Sequence, residues 1–279
     1  MDSGSEGVDA IQYGQDLFGE VVRPALAPLA SRFGVPPFSV LDARSGDWQD
    51  RKRAWLEMGI RGEVGREAHA YEIHGWADEN AGGAKASGDG TSIFDPHLCE
   101  LIYRWFAPIG GQVVDPFAGG SVRGVVAATL GLKYWGADIR PEQIFANVEQ
   151  GNALVAGDKP VWVCADSGGA VQHAPEADLL FSCPPYGDLE RYSDDPLDIS
   201  TMEYHTFVAA YRTIILRSLK RLRDDRFAVF VVGDFRDTRG FYRNFVSETI
   251  AAFEMGGARL YNEAVLVTPV GTAACGLPN

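Results

Sequence analysis

Three stretches of this 279-residue chain combine residue types and spacings that can do chemistry. The first is Asp115-Pro116-Phe117-Ala118-Gly119-Gly120-Ser121, which follows an apolar run and opens a helical one. Small residues there let backbone N–H groups come close to a ligand. Glycine turns of dinucleotide enzymes cradle a pyrophosphate on a helix N-terminus, but Asp115 at the start of this turn would repel one. An acid there suits a ligand with a cationic amino-acid end. The second stretch supplies more acids, Asp138 in Gly136-Ala137-Asp138 and Asp166 in Cys164-Ala165-Asp166. An acid about twenty residues beyond such a turn can accept hydrogen bonds from both hydroxyls of a ribose. S-adenosylmethionine has such a cationic amino-acid end, with an ammonium and a sulfonium, plus a ribose diol and an adenine. Each acid alone has a plainer reading, because Asp is common at caps and turns.

The third stretch is Asp178-Leu179-Leu180-Phe181-Ser182-Cys183-Pro184-Pro185-Tyr186. A residue before proline is pushed toward an extended backbone, and a Pro-Pro step carries carbonyls without N–H groups, so the corner is a stiff arc of acceptors. Acceptors are what an exocyclic NH₂ requires, since hydrogen bonds from the amine turn its lone pair out of the ring plane. Tyr186 offers a face on which an extruded base can stack.

Asp115 to Ser121 followed by Ser182 to Tyr186 resembles the DNA amino-methyltransferases that act on adenine N6 or cytosine N4, and more narrowly the methylase-like proteins of bacteriophages. The resemblance spans residues 91–270. It implies an α/β, Rossmann-like methyltransferase fold with a mostly parallel sheet and helices on both faces. It also implies S-adenosylmethionine held by Asp115, Phe117, Gly119, Gly120, Asp138, Asp166 and Ser92, and a base held by Cys183, Pro184, Pro185 and Tyr186. The segment 91–96 resembles the family stretch that touches the amino-acid end of the cofactor, and reads equally as a helix cap at Asp95-Pro96. Adenine is placed slightly ahead of cytosine as the target in DNA.

Cys183 departs from the family, which has Asp, Asn or Ser there; a thiol is a weak acceptor. Three explanations stay open: the backbone carbonyls suffice, Ser182 contributes, or the Cys183 thiolate attacks a pyrimidine ring carbon so that C5 takes the methyl. An RNA or protein-amide substrate, or a non-catalytic binding module of the same fold, are the alternative functions.

The elements that must position these residues read as alternating short β-branched or aromatic runs and helical stretches, the pattern of a parallel sheet with crossover helices. Strands are expected over 112–115, 134–138, 161–165, 179–182, 227–232 and 261–268, and helices over 96–106, 120–130, 141–154, 202–223 and 241–252. Phe181, Trp135 and Trp162 read as core. Arg217, Lys220, Arg221, Arg223 and Arg226 read as cations at the end of a long helix, where they complement its dipole. The segment 187–200, with Asp188 and Tyr192, is expected to loop over the site. Residues 1–76 read as a mainly helical extension, with a weakly helical stretch near 17–29, a polar helix near 47–58, an extended stretch at 35–38 and a basic cluster, Arg51-Lys52-Arg53, that reads as a solvated face. A Gly- and Ala-rich linker over 77–90 separates it from a methyltransferase domain over 91–279.

Composition bounds the function. Twenty-five Lys and Arg against 38 Asp and Glu give a net charge of −13, so no global basic field attracts nucleic acid and any such site is local. No separate basic, aromatic-rich recognition segment stands out, which leaves sequence recognition to residues 1–76. Four cysteines without a C-x-x-C pair, and no secretory or membrane-spanning pattern, point to a reducing cytoplasm. No metal is expected, because His74, His97, His173 and His205 form no spaced set. After Thr268 the tail is Gly- and Ala-rich with no strand pattern, so the sheet is expected to lack its closing antiparallel strand and to leave an edge for a second copy or a partner.

Overall fold

The structure, a computed structural model, describes residues 40–61, 93–187, 193, 195–237 and 239–268. Ser39–Asn279 forms one compact unit, and the other, Met1–Phe38, lies outside the described residues. So do the expected linker, Ser92, Asp188, Tyr192 and the tail from residue 269.

In chain order the elements are β1 (Val40–Asp42), α1 (Gly46–Glu57), α2 (Pro96–Phe106), β2 (Gln112–Asp115), α3 (Val122–Thr129), β3 (Lys133–Asp138), α4 (Pro141–Leu154), β4 (Val161–Cys164), α5 (Ser167–Ala170), β5 (Ala177–Ser182), α6 (Tyr204–Leu219), β6 (Leu222–Phe230), α7 (Phe245–Met255) and β7 (Val265–Val267). Five strands form one parallel sheet in the order β4-β3-β2-β5-β6. The central strands are apolar on both faces because both are covered: Val113, Val114, Leu179, Leu180 and Phe181 have no exposed surface. Helices α2, α3 and α4 pack together, as do α5, α6 and α7. The first group meets the sheet through Tyr103 on Phe181, with ring centroids 5.4 Å apart. On the other face Val114, Trp135, Ala137 and Leu180 share a core with Val171, Ala174 and Leu219. The fold is thus an α/β fold with a parallel sheet and helices on both faces. Trp162 on β4 is buried between two helix glycines; a Cβ on Gly124 or Gly151 would stand 2.5 or 2.8 Å from its ring.

The connection β2-α3-β3 moves outward one way, and β4-α5-β5 returns across β2 to the other side. The strand order therefore reverses between β2 and β5, and the crevice beyond their carboxyl ends is where open α/β sheets take ligands.

Helix α2 begins as its sequence predicts, with Asp95 accepting from the N–H groups of His97 (2.9 Å) and Leu98 (3.1 Å) ahead of Pro96 at the first turn. The other Asp95 oxygen receives Trp48 Nε1 at 3.1 Å and lies 3.3 Å from Lys52 Nζ. Arg51 reaches Glu100 through two hydrogen bonds of 2.7 and 2.8 Å, Trp55 Nε1 adds a third at 2.8 Å and Arg104 a fourth at 2.9 Å. The basic cluster is therefore not simply a solvated face: Arg51 and Lys52 fasten α1 to the acids of α2, while Arg53 pairs with Asp50 at the surface. Burial penalises the Glu100 carboxylate, but the His97, Arg51 and Trp55 donors outweigh it and hold the group well below the usual carboxylate range. Residues 40–61 thus belong to the same compact unit as 93–268.

Two other expectations change. The long helix ends at Leu219, and Leu222 already pairs with Ala177 on β5. Arg223 and Arg226 are therefore strand residues, not dipole partners. The register jumps from Ala177–Leu222 to Leu179–Phe227, so β6 bulges at 223–226, and both arginines turn onto Asp178, at 2.7 and 3.5 Å. The last strand, β7, does not join the main sheet; it pairs in parallel with β1. Among the described residues the five-stranded sheet has no antiparallel member.

Candidate functional site

Asp115 ends β2 at the switch point and is fully buried. Its Oδ1 accepts from the Ser182 hydroxyl at 2.5 Å and the Phe117 N–H at 3.1 Å. Its Oδ2 accepts from Arg123 Nε at 2.6 Å and the Tyr134 hydroxyl at 2.7 Å. The expectation that this acid presents its charge to a cationic ligand is corrected, since Arg123 neutralises it and four donors occupy both oxygens. Burial works against the Arg123 cation, yet Asp115 beside it holds the guanidinium charged and above its ordinary value. The same guanidinium bonds the carbonyls of Phe117 and Ala118 and lies 4.6 Å over the Phe94 ring. Arg123 thus clasps the turn from beneath.

Further bonds set the height of the turn. Ala118 N–H donates to the Ala137 carbonyl of β3 at 2.9 Å, and Ser167 donates to the Pro116 carbonyl. Gly119 adopts φ +49°, a conformation glycine takes without strain. Its carbonyl accepts from Asn147 Nδ2 at 2.7 Å, and Asn147 accepts from Gln143, which accepts from Arg140. This buried relay runs along α4 from the residue two beyond Asp138 back to the turn. A Cβ on Gly136 would stand 2.8 Å from both the Ala118 Cβ and the Tyr134 hydroxyl, so β3 leaves room for the turn only as glycine.

The other two acids are less enclosed. Asp138 closes β3 half-buried, with Oδ1 accepting the Arg140 N–H at 2.9 Å. Asp166 caps α5 by accepting from Gly169 N–H at 2.8 Å. Asp138 ends β3, the neighbour of β2, and Asp166 lies two residues beyond β4, the next strand out, so both stand on the carboxyl edge of the sheet that carries the turn.

Ser182 ends β5 with its hydroxyl accepting from Phe117 N–H at 3.1 Å while donating to Asp115, and its carbonyl accepting from Val231. Buried and committed inside the protein, Ser182 is not a stand-in acceptor for Cys183. It couples the glycine turn to the proline corner. Pro184 is buried, and Cys183, Pro185 and Tyr186 are half-buried. The Tyr186 ring meets Phe235 and Phe245 at 6.3 and 6.2 Å, while Phe117 from the turn meets Tyr211 at 5.9 Å. Tyr211 and Phe245 touch at 5.1 Å, so both motifs are seated on one aromatic cluster formed by α6 and α7.

Arg123, Tyr134 and Asn147 are site residues that the sequence does not single out, and Ser182, expected at most as an acceptor for substrate, instead joins the turn to the corner. The signal for Arg123 is a single charge within the apolar run Ser121-Val122-Arg123-Gly124-Val125-Val126; for Asn147 it is the polar pair with Gln143, one helical turn apart. One buried atom at the turn stays without a partner among the described residues: the hydroxyl of Ser121, 1% exposed at the start of α3. Among those residues no group of three His, Cys, Asp or Glu could hold a metal, and no helix is long and apolar enough to cross a membrane.

No protein-family profile and no curated protein matches the chain in sequence. Solved structures do match in shape. Magnesium protoporphyrin IX methyltransferase from Synechocystis PCC 6803, solved with bound SAM, is 15% identical, covering 61% of this chain and 76% of its own at a TM-score of 0.40. Precorrin-6y C5,15-methyltransferase from Geobacter metallireducens GS-15 is 15% identical over 67% of this chain and 82% of its own, with TM-score 0.43. TrmN from Thermus thermophilus is 19% identical over 49% of this chain, which spans 38% of that protein, with TM-score 0.38. These are distant likenesses of fold between this chain and S-adenosylmethionine-dependent methyltransferases.

Proposed function

We propose that the crevice between β2 and β5 binds S-adenosylmethionine and that the chain transfers its methyl group to the exocyclic amine of a DNA base, adenine N6 ahead of cytosine N4. The observation that carries this reading is the Ser182 coupling. One hydroxyl joins the turn that would cradle a donor to the corner that would hold an acceptor, at the place where the strand order reverses.

The residues present fit the cofactor. Ser121 brings a buried hydroxyl in want of a partner to the start of α3, where a carboxylate is favoured. Asp138 offers a carboxylate for a ribose diol and Asp166 one for the adenine side. When bound, S-adenosylmethionine supplies an electrophilic methyl on a sulfonium. The work of this chain is alignment. Arg123 and Asn147 hold the turn; Pro184 and Pro185 withhold N–H groups from the corner, so its carbonyls accept from the amine; Tyr186, backed by Phe235 and Phe245, presents a face to the base. Asp115, with both oxygens occupied, is not the base for the departing amine proton, which leaves to solvent.

Calorimetry with S-adenosylmethionine is expected to give micromolar binding, weakened ten-fold or more by Asp138→Ala, as loss of a charged hydrogen bond entails. Labelled methyl offered to DNA, RNA and protein pools is expected on DNA adenine. Absence of cofactor binding would leave a non-catalytic module of this fold; label in RNA or protein would move the substrate. Cys183→Ser is expected to retain activity, because a hydroxyl accepts at least as well as a thiol. Complete loss in that variant, with label on pyrimidine C5, would establish the covalent route instead.

A further inference from the structure

Beyond β6 the chain makes a small hairpin at the carboxyl edge of the sheet. Arg236 and Tyr242 form an antiparallel bridge, Asp237 N–H donates to the Phe241 carbonyl at 2.8 Å, and Arg243 N–H to the Phe235 carbonyl at 2.9 Å. Its root is fixed: Phe235 is buried among Tyr186, Tyr204 and Phe245, at 6.3, 6.1 and 5.7 Å. Its outer part is not used for packing. Phe241 and Tyr242 are consecutive aromatics 67% and 62% exposed, and the Arg239 side chain is 81% exposed. Two adjacent exposed rings beside guanidinium groups form a surface that a planar partner can cover.

Guanidinium and ring planes are interleaved along this hairpin. The Arg236 guanidinium lies 4.0 Å over the Tyr242 ring, Arg239 is 5.9 Å from Phe241, and Arg243 is 4.4 Å over Tyr204. Asp237 accepts from the Arg239 and Phe241 N–H groups, and Asp234 from the Val246 N–H, so the acids are tied to backbone donors. Asp237 is thereby held below the usual carboxylate range, first by the Phe241 N–H. Arg236 is half-buried and donates to the Gly240 carbonyl at 2.7 Å, and Arg239 Nε lies 3.9 Å from Asp237, so Arg236, Arg239 and Arg243 outnumber Asp234 and Asp237 by one charge beside the two exposed rings. Planar cations and exposed rings in alternation match a strand of stacked bases with phosphates between them, which duplex DNA, its bases enclosed, does not offer. A chain with net charge −13 can meet a polyanion only at such a local surface.

We propose that Arg236, Arg239, Phe241 and Tyr242 bind single-stranded or locally unpaired nucleic acid, holding the strand beside a base presented at Tyr186. The proposal rests on the nucleic-acid reading of the site, but strand binding needs no methyl transfer and is measured separately.

Fluorescence anisotropy of the full chain with a labelled 16-nucleotide single strand, and with the same sequence as duplex, tests it. Tighter binding of the single strand is expected, with Phe241→Ala/Tyr242→Ala weakening it ten-fold or more, as loss of stacking on two rings entails. Arg236→Ala/Arg239→Ala should lower the slope of log affinity against log salt by about 1 to 1.5. Phe145→Ser, at a ring equally exposed on α4, should change nothing. Equal affinities in the aromatic variant and the parent, no binding of the single strand, or binding of an acidic peptide with the same dependence on both rings would each overturn the proposal. Single-strand binding without methyl transfer would sink the enzymatic reading and leave this one standing; cofactor binding and transfer to DNA with an indifferent hairpin would do the reverse.

Discussion

The floor of the crevice and the flank beyond β6 are built from the same residue types, with opposite consequences. At the floor, Asp115 and Arg123 are enclosed, and every oxygen of the carboxylate is spoken for. On the flank, Arg239 and the rings of Phe241 and Tyr242 face water. An enclosed ion pair holds backbone in place and offers little to a ligand, because its charge is cancelled where the dielectric is low. An exposed guanidinium stacked on a ring offers both charge and a plane to whatever arrives. Residue type therefore does not assign the role; desolvation does.

The contrast is broken most severely from within the floor. Replacing Arg123 by Met leaves Asp115 buried with its charge uncompensated, and should lower unfolding free energy by about 3–5 kcal/mol in urea titration. Adding Asp115→Asn to that variant should recover part of the loss; an unchanged or worsened midpoint in the double variant would argue that the ion pair is not what holds the turn.

The Glu100 cluster sharpens the comparison through pH. Its carboxyl is depressed in the folded state, so the stabilisation it gives is full above the ordinary glutamate value near 4.3 and fades as pH falls below that toward the folded value. Glu100→Gln should cost about 3 kcal/mol at pH 7, and the gap to the parent should narrow in denaturation curves taken stepwise below pH 4.3. A gap independent of pH would mean that packing of Trp55, and not the charge, accounts for the cost.

The mildest effect belongs to Gly136→Ala, whose Cβ must displace Ala118 or Tyr134 from 2.8 Å. A stability loss of about 1–3 kcal/mol is expected, with S-adenosylmethionine affinity falling further than stability alone explains, since the glycine turn rides on Ala118. Unaltered affinity in calorimetry would separate the turn from the ligand.

Much of the sheet was legible in order, because Gln112–Asp115 and Ala177–Ser182 are short apolar runs buried on both faces, and burial on both faces writes itself locally. The β6 region was not: Arg223 and Arg226 look like the end of α6 until Asp178, on a neighbouring strand, is placed under them. Arg51 and Lys52 were misread for the same reason, their partners Glu100 and Asp95 lying 49 and 43 positions away. The hairpin is hard to see in the sequence because Asp234 and Asp237 offset two of its three arginines in a count along the chain, and the exposure of Phe241 and Tyr242 is set only by the fold.

From the residues alone came the glycine turn, the proline corner, the acids at strand tips and the alternation that makes a parallel sheet, since these depend on neighbours within a few positions. Only the folded molecule decided that Asp115 answers to Arg123, that Ser182 couples the turn to the corner, and that β7 leaves the main sheet for β1. Charge compensation and strand pairing join residues far apart in sequence, and their energies are set by burial and distance, neither of which a linear order of side chains contains.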